Sequence, residues 1–277
     1  MFRRIGLALI LGASPALADP LIYVRSWPMH ADRPDFGGLS AIEMVDADAA
    51  VVLSDRGKLF VMELDRASGS VEIERANQPH PNRDSEGLAR TEDTLYFSYE
   101  GPADIVAHDG TRIPPHPDFA HFHPNAALEA LAADAHGALY TIPERSGDVA
   151  RAFPVYRYKD GAWDIVASMP RTGPFLPVGA DFGPDGLLYV LERAFTPLGF
   201  RSRIRRLDPS TQEAPVETLL ITRSGLHDNM EGIAIWQSDS GATCLTMVSD
   251  NNFLPVQRTE LVEYALTETL AGGATCD

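Results

Sequence analysis

Five times along the chain an apolar run opens behind a polar residue, crosses a turn, and is followed by a second run that closes on an acid. The clearest openings are RDSEGLA at Arg83–Ala89, NAALEALA at Asn125–Ala132 and DNMEGIA at Asp228–Ala234. Two weaker copies, FGGLSAI at Phe36–Ile42 and VGADF at Val178–Phe182, put Ser40 and Asp181 where the others have glutamate. The opening positions Ser40, Glu86, Glu129, Asp181 and Glu231 are separated by 46, 43, 52 and 50 residues. The closing acids Asp55, Glu100, Glu144, Glu192 and Asp250 are separated by 45, 44, 48 and 58. Two ladders sharing one period constrain the chain to an array of units, each the size of one four-stranded blade.

Further runs rich in Val, Ile and Tyr lie between the ladders, at Leu59–Leu64, Val155–Tyr158, Trp163–Val166 and Arg203–Leu207. Asp-Gly, Ser-Gly and Pro turns separate them, and long helical periodicity is absent. The expected fold is therefore an all-β propeller of five blades. Six blades is the alternative if Ala103–Phe119 hides a degenerate one. No strand follows Glu260–Leu266 to complete the last unit, so Leu21–Trp27 at the other end is expected to close the ring. Alternation puts Leu88, Leu131 and Ile233 on one strand face and the small residues Gly87, Ala130 and Gly232 on the other. A glutamate in front of such a strand would stand at the mouth of a central channel.

Residues Met1–Ala18 read as an export leader, with Arg3 and Arg4, an apolar core at Ile5–Leu11, and Ala16-Leu17-Ala18 before the cut. The mature chain then starts at Asp19, and residues 19–277 form one domain in the periplasm or outside the cell. Losing the two arginines moves the formal net charge from −16 to −18. That balance argues against nucleic acid and anionic membrane as partners and favours cations. No later segment is apolar enough to span a bilayer. An exported chain with only Cys244 and Cys276 is read as carrying one disulfide, with two separate thiols as the alternative. Closing that loop would contribute roughly 3 kcal/mol.

Carboxylates gathered at one mouth repel, so either their pKa values rise or a cation compensates them. Hard oxygen donors suit Ca2+ first. The candidate ligands are Glu86, Glu129 and Glu231 of the opening ladder and Glu100, Glu144, Glu192 and Asp250 of the closing ladder, foremost Glu86, Glu129, Glu144 and Glu231, with Asn251 adding a carbonyl oxygen. Glu192 or Asp250 is the candidate base that activates water. Arginine follows the closing acid at Arg56, Arg145 and Arg193, a placement suited to binding an oxyanion. Salt bridges between blades are the alternative use of these arginines, and turn caps of the acids. Arg201, Arg203 and Arg205 share one strand face and are expected to point to solvent. His121 and His123 would share a face with His116 nearby, but four prolines mark the segment as a loop with no completed zinc pattern. There is no G-x-S-x-G, H-E-x-x-H, Walker loop or G-x-G-x-x-G after a strand.

The phrases FGGLSAIE with VLSDRGKLF, DSEGLA, NAALEALA with GALYTIPE, GADFGPDGLLYVLER, and DNMEGIA with VSDNNFLPVQRTELVEYAL cover nearly all of residues 19–277. At these residues the sequence resembles the phytase-like family known as "esterase-like activity of phytase". The resemblance implies a secreted β-propeller with acidic residues at its functional centre and, beyond that, hydrolysis of a phosphoester or ester. Departures are Leu128 where other openings have Ser85 and Met230, Ala130 for their glycine, and Asp181 behind Ala180 for a glutamate. The leading functional expectation is a Ca2+-dependent hydrolase of a small anionic or ester substrate. A lactonase-type propeller is its close variant. The alternative in another class is a non-catalytic periplasmic binding or scaffold propeller whose cation is structural.

Overall fold

The computed structural model describes residues 19–29, 33–77, 80, 83–123, 128–145, 147, 151–212 and 215–277. The leader read at Met1–Ala18 and the start of the NAALEALA phrase lie outside the described residues.

Strand β1 (Leu21–Pro28) belongs to the last sheet and is treated with it. The first sheet runs outward from β2 (Leu39–Met44) through β3 (Ala49–Ser54) and β4 (Lys58–Asp65) to β5 (Ser70–Ala76). The second comprises β6 (Ser85–Arg90), β7 (Leu95–Tyr99), β8 (Asp104–Ala107) and β9 (Arg112–Ile113). The third comprises β10 (Ala130–Ala133), β11 (Leu139–Ile142), β12 (Phe153–Lys159) and β13 (Ala162–Met169). The fourth comprises β14 (Leu176–Phe182), β15 (Leu188–Thr196), β16 (Gly199–Leu207) and β17 (Glu217–Ile221). The last contains β18 (Asn229–Gln237), β19 (Thr243–Asp250) and β20 (Glu260–Leu266), and β1 pairs antiparallel with β20 as its outer strand.

These sheets make a five-bladed propeller closed by the N-terminal strand. The segment Ala103–Phe119 is the outer half of the second blade followed by a 3-10 turn, so no sixth blade exists there. Neighbouring inner strands touch in the cycle β2, β6, β10, β14, β18 and back to β2. Small residues permit that approach: a Cβ on Gly232 would come within 2.8 Å of the Ala41 Cα, and one on Gly179 within 2.5 Å of the Glu231 carbonyl oxygen. Five apolar clusters fill the spaces between blades. Each is built from the large residues of one blade facing the next, such as Tyr189 and Leu191 against Ile233 and Leu245. Burying one such side chain fully contributes about 1.5–3 kcal/mol.

The closing interface carries extra ties. Cys244 and Cys276 form a disulfide, Cα atoms 5.9 Å apart, that binds the C-terminal tail to the last blade. Arg66 of the first blade reaches the buried Glu263 of the last at 2.7 Å and stacks over Trp236. Among the described residues no helix is long and apolar enough to cross a membrane.

Candidate functional site

Inner strands begin at one mouth of the channel, and four of them, β2, β6, β14 and β18, carry a β-bulge there. The bulge lies at Ser40 in β2, Glu86–Gly87 in β6 and Glu231 in β18, because the pairing register skips those residues. An extra residue turns the chain and re-aims its side chain, which is how the glutamates come to face the axis. In β14 the skipped residue is Val178, and Asp181 lies three positions further along, towards the opposite mouth. Asp181 Oδ2 accepts from the Ile235 amide at 2.6 Å, and its Oδ1 from Phe182 N at 2.7 Å.

The second strands supply the other acids at the same mouth. Asp250 pairs with Asn229, and the Glu100 and Asp55 amides donate to the carbonyls of Asp84 and Gly38. In the fourth blade the residue in this register is Arg193, opposite Leu176, and not Glu192. Glu192 sits one residue back, on the other strand face. It is fully buried and bound by Arg203 at 2.9 Å and Arg205 at 2.6 Å. Arg203 and Arg205 are thus buried, contrary to the solvent exposure expected from their alternation, because a carboxylate inside the blade neutralises both.

The mouth therefore gathers Asp55, Asp84, Glu86, Glu100, Glu129, Glu144, Glu231 and Asp250 around one deeply placed guanidinium, Arg193. Arg193 donates to Glu231 and to Asn229 Oδ1 at 2.9 Å, and lies 3.6 Å from Glu144. Asn229 Nδ2 bridges Glu231 at 2.7 Å and Asp250 at 3.3 Å. On the other side, oxygens of Asp84, Glu86 and Glu100 all lie within 4.8 Å of one another. No ion pair between described residues reaches those three carboxylates. The Ser40 hydroxyl, 2% exposed at the first-blade bulge, has no hydrogen-bond partner among the described residues.

Burial, reinforced by neighbouring acids, pushes the Glu86 and Glu129 carboxyls well above the carboxylate range. Glu100 is pushed up to about 7 by burial and then by Asp84, Glu144 and Glu231. Asp250 is pushed up to about 7 by burial and then by Glu231. Glu231 is raised by burial, against the opposing pull of Arg193.

Of the other residues singled out from sequence, Asn251 Oδ1 accepts from the backbone amides of Gly38 and Phe253, both at 3.0 Å. Arg56 is exposed and lies over the Phe253 ring at 3.3 Å. Arg145 is mostly exposed, 3.4 Å from Glu144. His116 caps the Pro117–His121 turn by accepting from Asp118 N, and packs on Tyr156, so the histidine segment is structural at that residue. Asp84 and Asn229 escaped sequence reasoning. Aligning DSE with NME would have shown both, two residues before Glu86 and Glu231.

Beside Arg193 a cleft of about 400 Å3 opens on the same face, walled by Glu144, Glu231 and Asn229 and, opposite, by Pro174, Phe195 and Phe200. Fold and site together define a five-bladed propeller with an acidic, partly compensated mouth. The chain belongs to the phytase-like family, "esterase-like activity of phytase", whose model matches residues 34–253. No curated protein matches the sequence. Among solved structures, the catalytic domain of the Coprinopsis cinerea GH62 α-L-arabinofuranosidase is similar over 91% of this chain and 99% of that one, at 11% identity and TM-score 0.54. Myxococcus xanthus glutaminyl cyclase is similar over 88% and 95%, at 13% identity and TM-score 0.48. The calcium-binding protein regucalcin from Agrobacterium tumefaciens is similar over 84% and 78%, at 15% identity and TM-score 0.45. At such identities the likeness concerns the fold alone.

Proposed function

We propose that this chain is an exported hydrolase of esters or phosphoesters, lactones included, working at the acidic mouth with a bound divalent cation. The observation that carries this reading is the uncompensated triad Asp84, Glu86 and Glu100, whose oxygens crowd within 4.8 Å. Such a donor set is all hard oxygen, which fits Ca2+. A bound Ca2+ would supply Lewis-acid polarisation of an ester or phosphoryl oxygen. Asp84, Glu86 and Glu100 would hold it, a set that keeps Glu86 and Glu100 from the sequence expectation, adds Asp84, and moves Glu129, Glu144 and Glu231 to the guanidinium side.

The chain's own groups supply the rest. Asp250, whose carboxyl burial and Glu231 push up to about 7, accepts a proton from water at Oδ2, where Asn229 Nδ2 already orients it. Glu192 is engaged by two buried arginines and drops out of this role. Arg193, fixed by Glu231 and Asn229, offers its remaining donors to a substrate oxygen, and the exposed Arg145 flanks it. The disulfide favours an oxidising compartment such as the periplasm or the exterior.

The test is a panel of phosphoesters, carboxyl esters and lactones assayed with calcium and with chelator. The reading expects turnover of at least one class, lost with chelator and reduced by at least about a hundredfold in Asp250→Asn. Calcium binding without turnover of any class would leave a scaffold with a structural cation instead.

A further inference from the structure

Strand β15 alternates, so Arg193 and Phe195 project from one face while Glu192 and Ala194 project from the other. Two residues along a strand span roughly 6–7 Å, which sets a charged group and an aromatic ring side by side. Phe195 is 74% exposed at the end of the long β15–β16 hairpin. Its cross-strand partner is Phe200, with ring centroids 5.3 Å apart at 61°. Pro174 and Leu176 continue this apolar wall down to Arg193, since Leu176 is the cross-strand partner of Arg193. A large exposed aromatic at the lip of a cleft costs solubility and is a common mark of ligand contact.

The charges across the cleft nearly cancel. Arg145 and Arg193 stand against Glu144 and Glu231, and the wider mouth adds only carboxylates. A polyanion entering here would meet the eight carboxyls of the mouth, whose formal charge one divalent cation and the guanidiniums of Arg56, Arg145 and Arg193 do not outweigh. An uncharged ligand with an aromatic or branched apolar group would bury Phe195 and Phe200 and present its carbonyl oxygen to Arg193.

We infer that the cleft between Arg193 and the Phe195–Phe200 pair is a specificity pocket for the aryl or acyl part of a small uncharged ester, and that it selects against polyphosphorylated substrates. This rests on the hydrolase reading for the word ester, but the binding itself does not require turnover. The probe is therefore 4-nitroacetanilide, an amide counterpart of an aryl ester, titrated into the full chain with calcium present and followed by ligand-observed NMR. Acetamide and inositol hexakisphosphate serve as the ring-free and polyanionic comparisons.

The expected order is 4-nitroacetanilide tightest, with a loss of roughly tenfold in Phe195→Ala and again in Phe200→Ala, the size of one aromatic contact. Leu198→Ala, 81% exposed at the hairpin tip and outside the cleft lining, leaves affinity unchanged and controls for hairpin disturbance. Phe195 is exposed enough that its removal spares the core, so a folded variant is available. No binding of the anilide, binding by either phenylalanine variant as tight as the parent's, or tighter binding of inositol hexakisphosphate would each overturn the pocket. Binding that follows the expected order, with no turnover of any phosphoester, carboxyl ester or lactone of the panel above the buffer rate, would sustain the pocket and remove the hydrolase.

Discussion

Both mouths of the channel hold acids, buried at the far one and partly exposed in the near triad, and the two sets are treated differently by the backbone around them. At the far mouth, beside a cavity of about 760 Å3, Glu43 accepts from the Arg90 amide at 3.1 Å and Asp181 from Ile235 and Phe182. Arg90 and Ile235 belong to the inner strands of the next blades, so each acid staples its own blade to the following one. At the near mouth, Asp84, Glu86 and Glu100 crowd one another without an ion pair from any described residue. The far acids share a raised proton affinity but each is anchored by an amide, whereas in the near triad the compensation is a side-chain hydrogen bond between Asp84 and Glu86, which a ligand can replace. Glu192 represents the satisfied extreme, held by two guanidiniums inside a blade.

That contrast can be broken by substitution, and the largest effect belongs to Glu192. Glu192→Ala leaves Arg203 and Arg205 buried without their counter-ion and is expected to destabilise by about 3–5 kcal/mol, read by denaturant unfolding. A loss below 1 kcal/mol would mean that both arginines reach water instead. Next comes Asp181→Ala at pH 6, which strands two backbone amides and should cost about 1–3 kcal/mol. Glu86→Gln should have the opposite sign. In chelator it is expected to relieve the repulsion from Glu129, Glu231, Asp84 and Glu100 and to raise stability, read as a denaturant midpoint above the parent's.

The pattern of what was readable in the sequence follows from the same geometry. Strand periodicity, turns and the two ladders carried the blade count, the N-terminal closure and the acidic mouth, because side chains repeating with the blade must recur around one axis. Four of the five blades kept that frame. In the fourth, Asp181 and Glu192 look like ladder members, but Val178 and Arg193 hold the positions. A bulge adds one residue to one strand, and a slip of one residue sends a side chain to the opposite face. The adjacent Glu192-Arg193 pair offers no sequence clue to which of the two faces the channel. Asn251 has the right oxygen for a cation, but the turn after β19 uses it for two amides. Contacts of that kind join residues such as Gly38 and Asn251, far apart in sequence, and no local pattern encodes them.

A smaller effect sharpens the comparison through pH. Glu100 and Asp250 titrate near 7 in the folded chain and near 4 when unfolded. Folded pKa values above the unfolded ones give stability that is complete below about pH 4 and is lost as pH rises through 7. In chelator, the melting temperature should therefore fall between pH 5 and pH 8. Calcium should restore more stability at pH 8 than at pH 5, because it binds the ionised acids and contributes RT ln(1 + [L]/Kd). A melting temperature that rises with pH in chelator would contradict the assignment of these carboxyls.

The most direct measurement is calcium titration by calorimetry of the parent, Glu86→Gln and Glu129→Gln at one pH and ionic strength. Glu86 belongs to the uncompensated triad, while Glu129 lies within the field of Arg193. Calcium is expected to bind the parent, with a loss of at least tenfold in affinity for Glu86→Gln and a change of less than threefold for Glu129→Gln. Equal losses in the two variants would place the cation on the channel axis, and no binding by the parent would remove the cation from the site altogether.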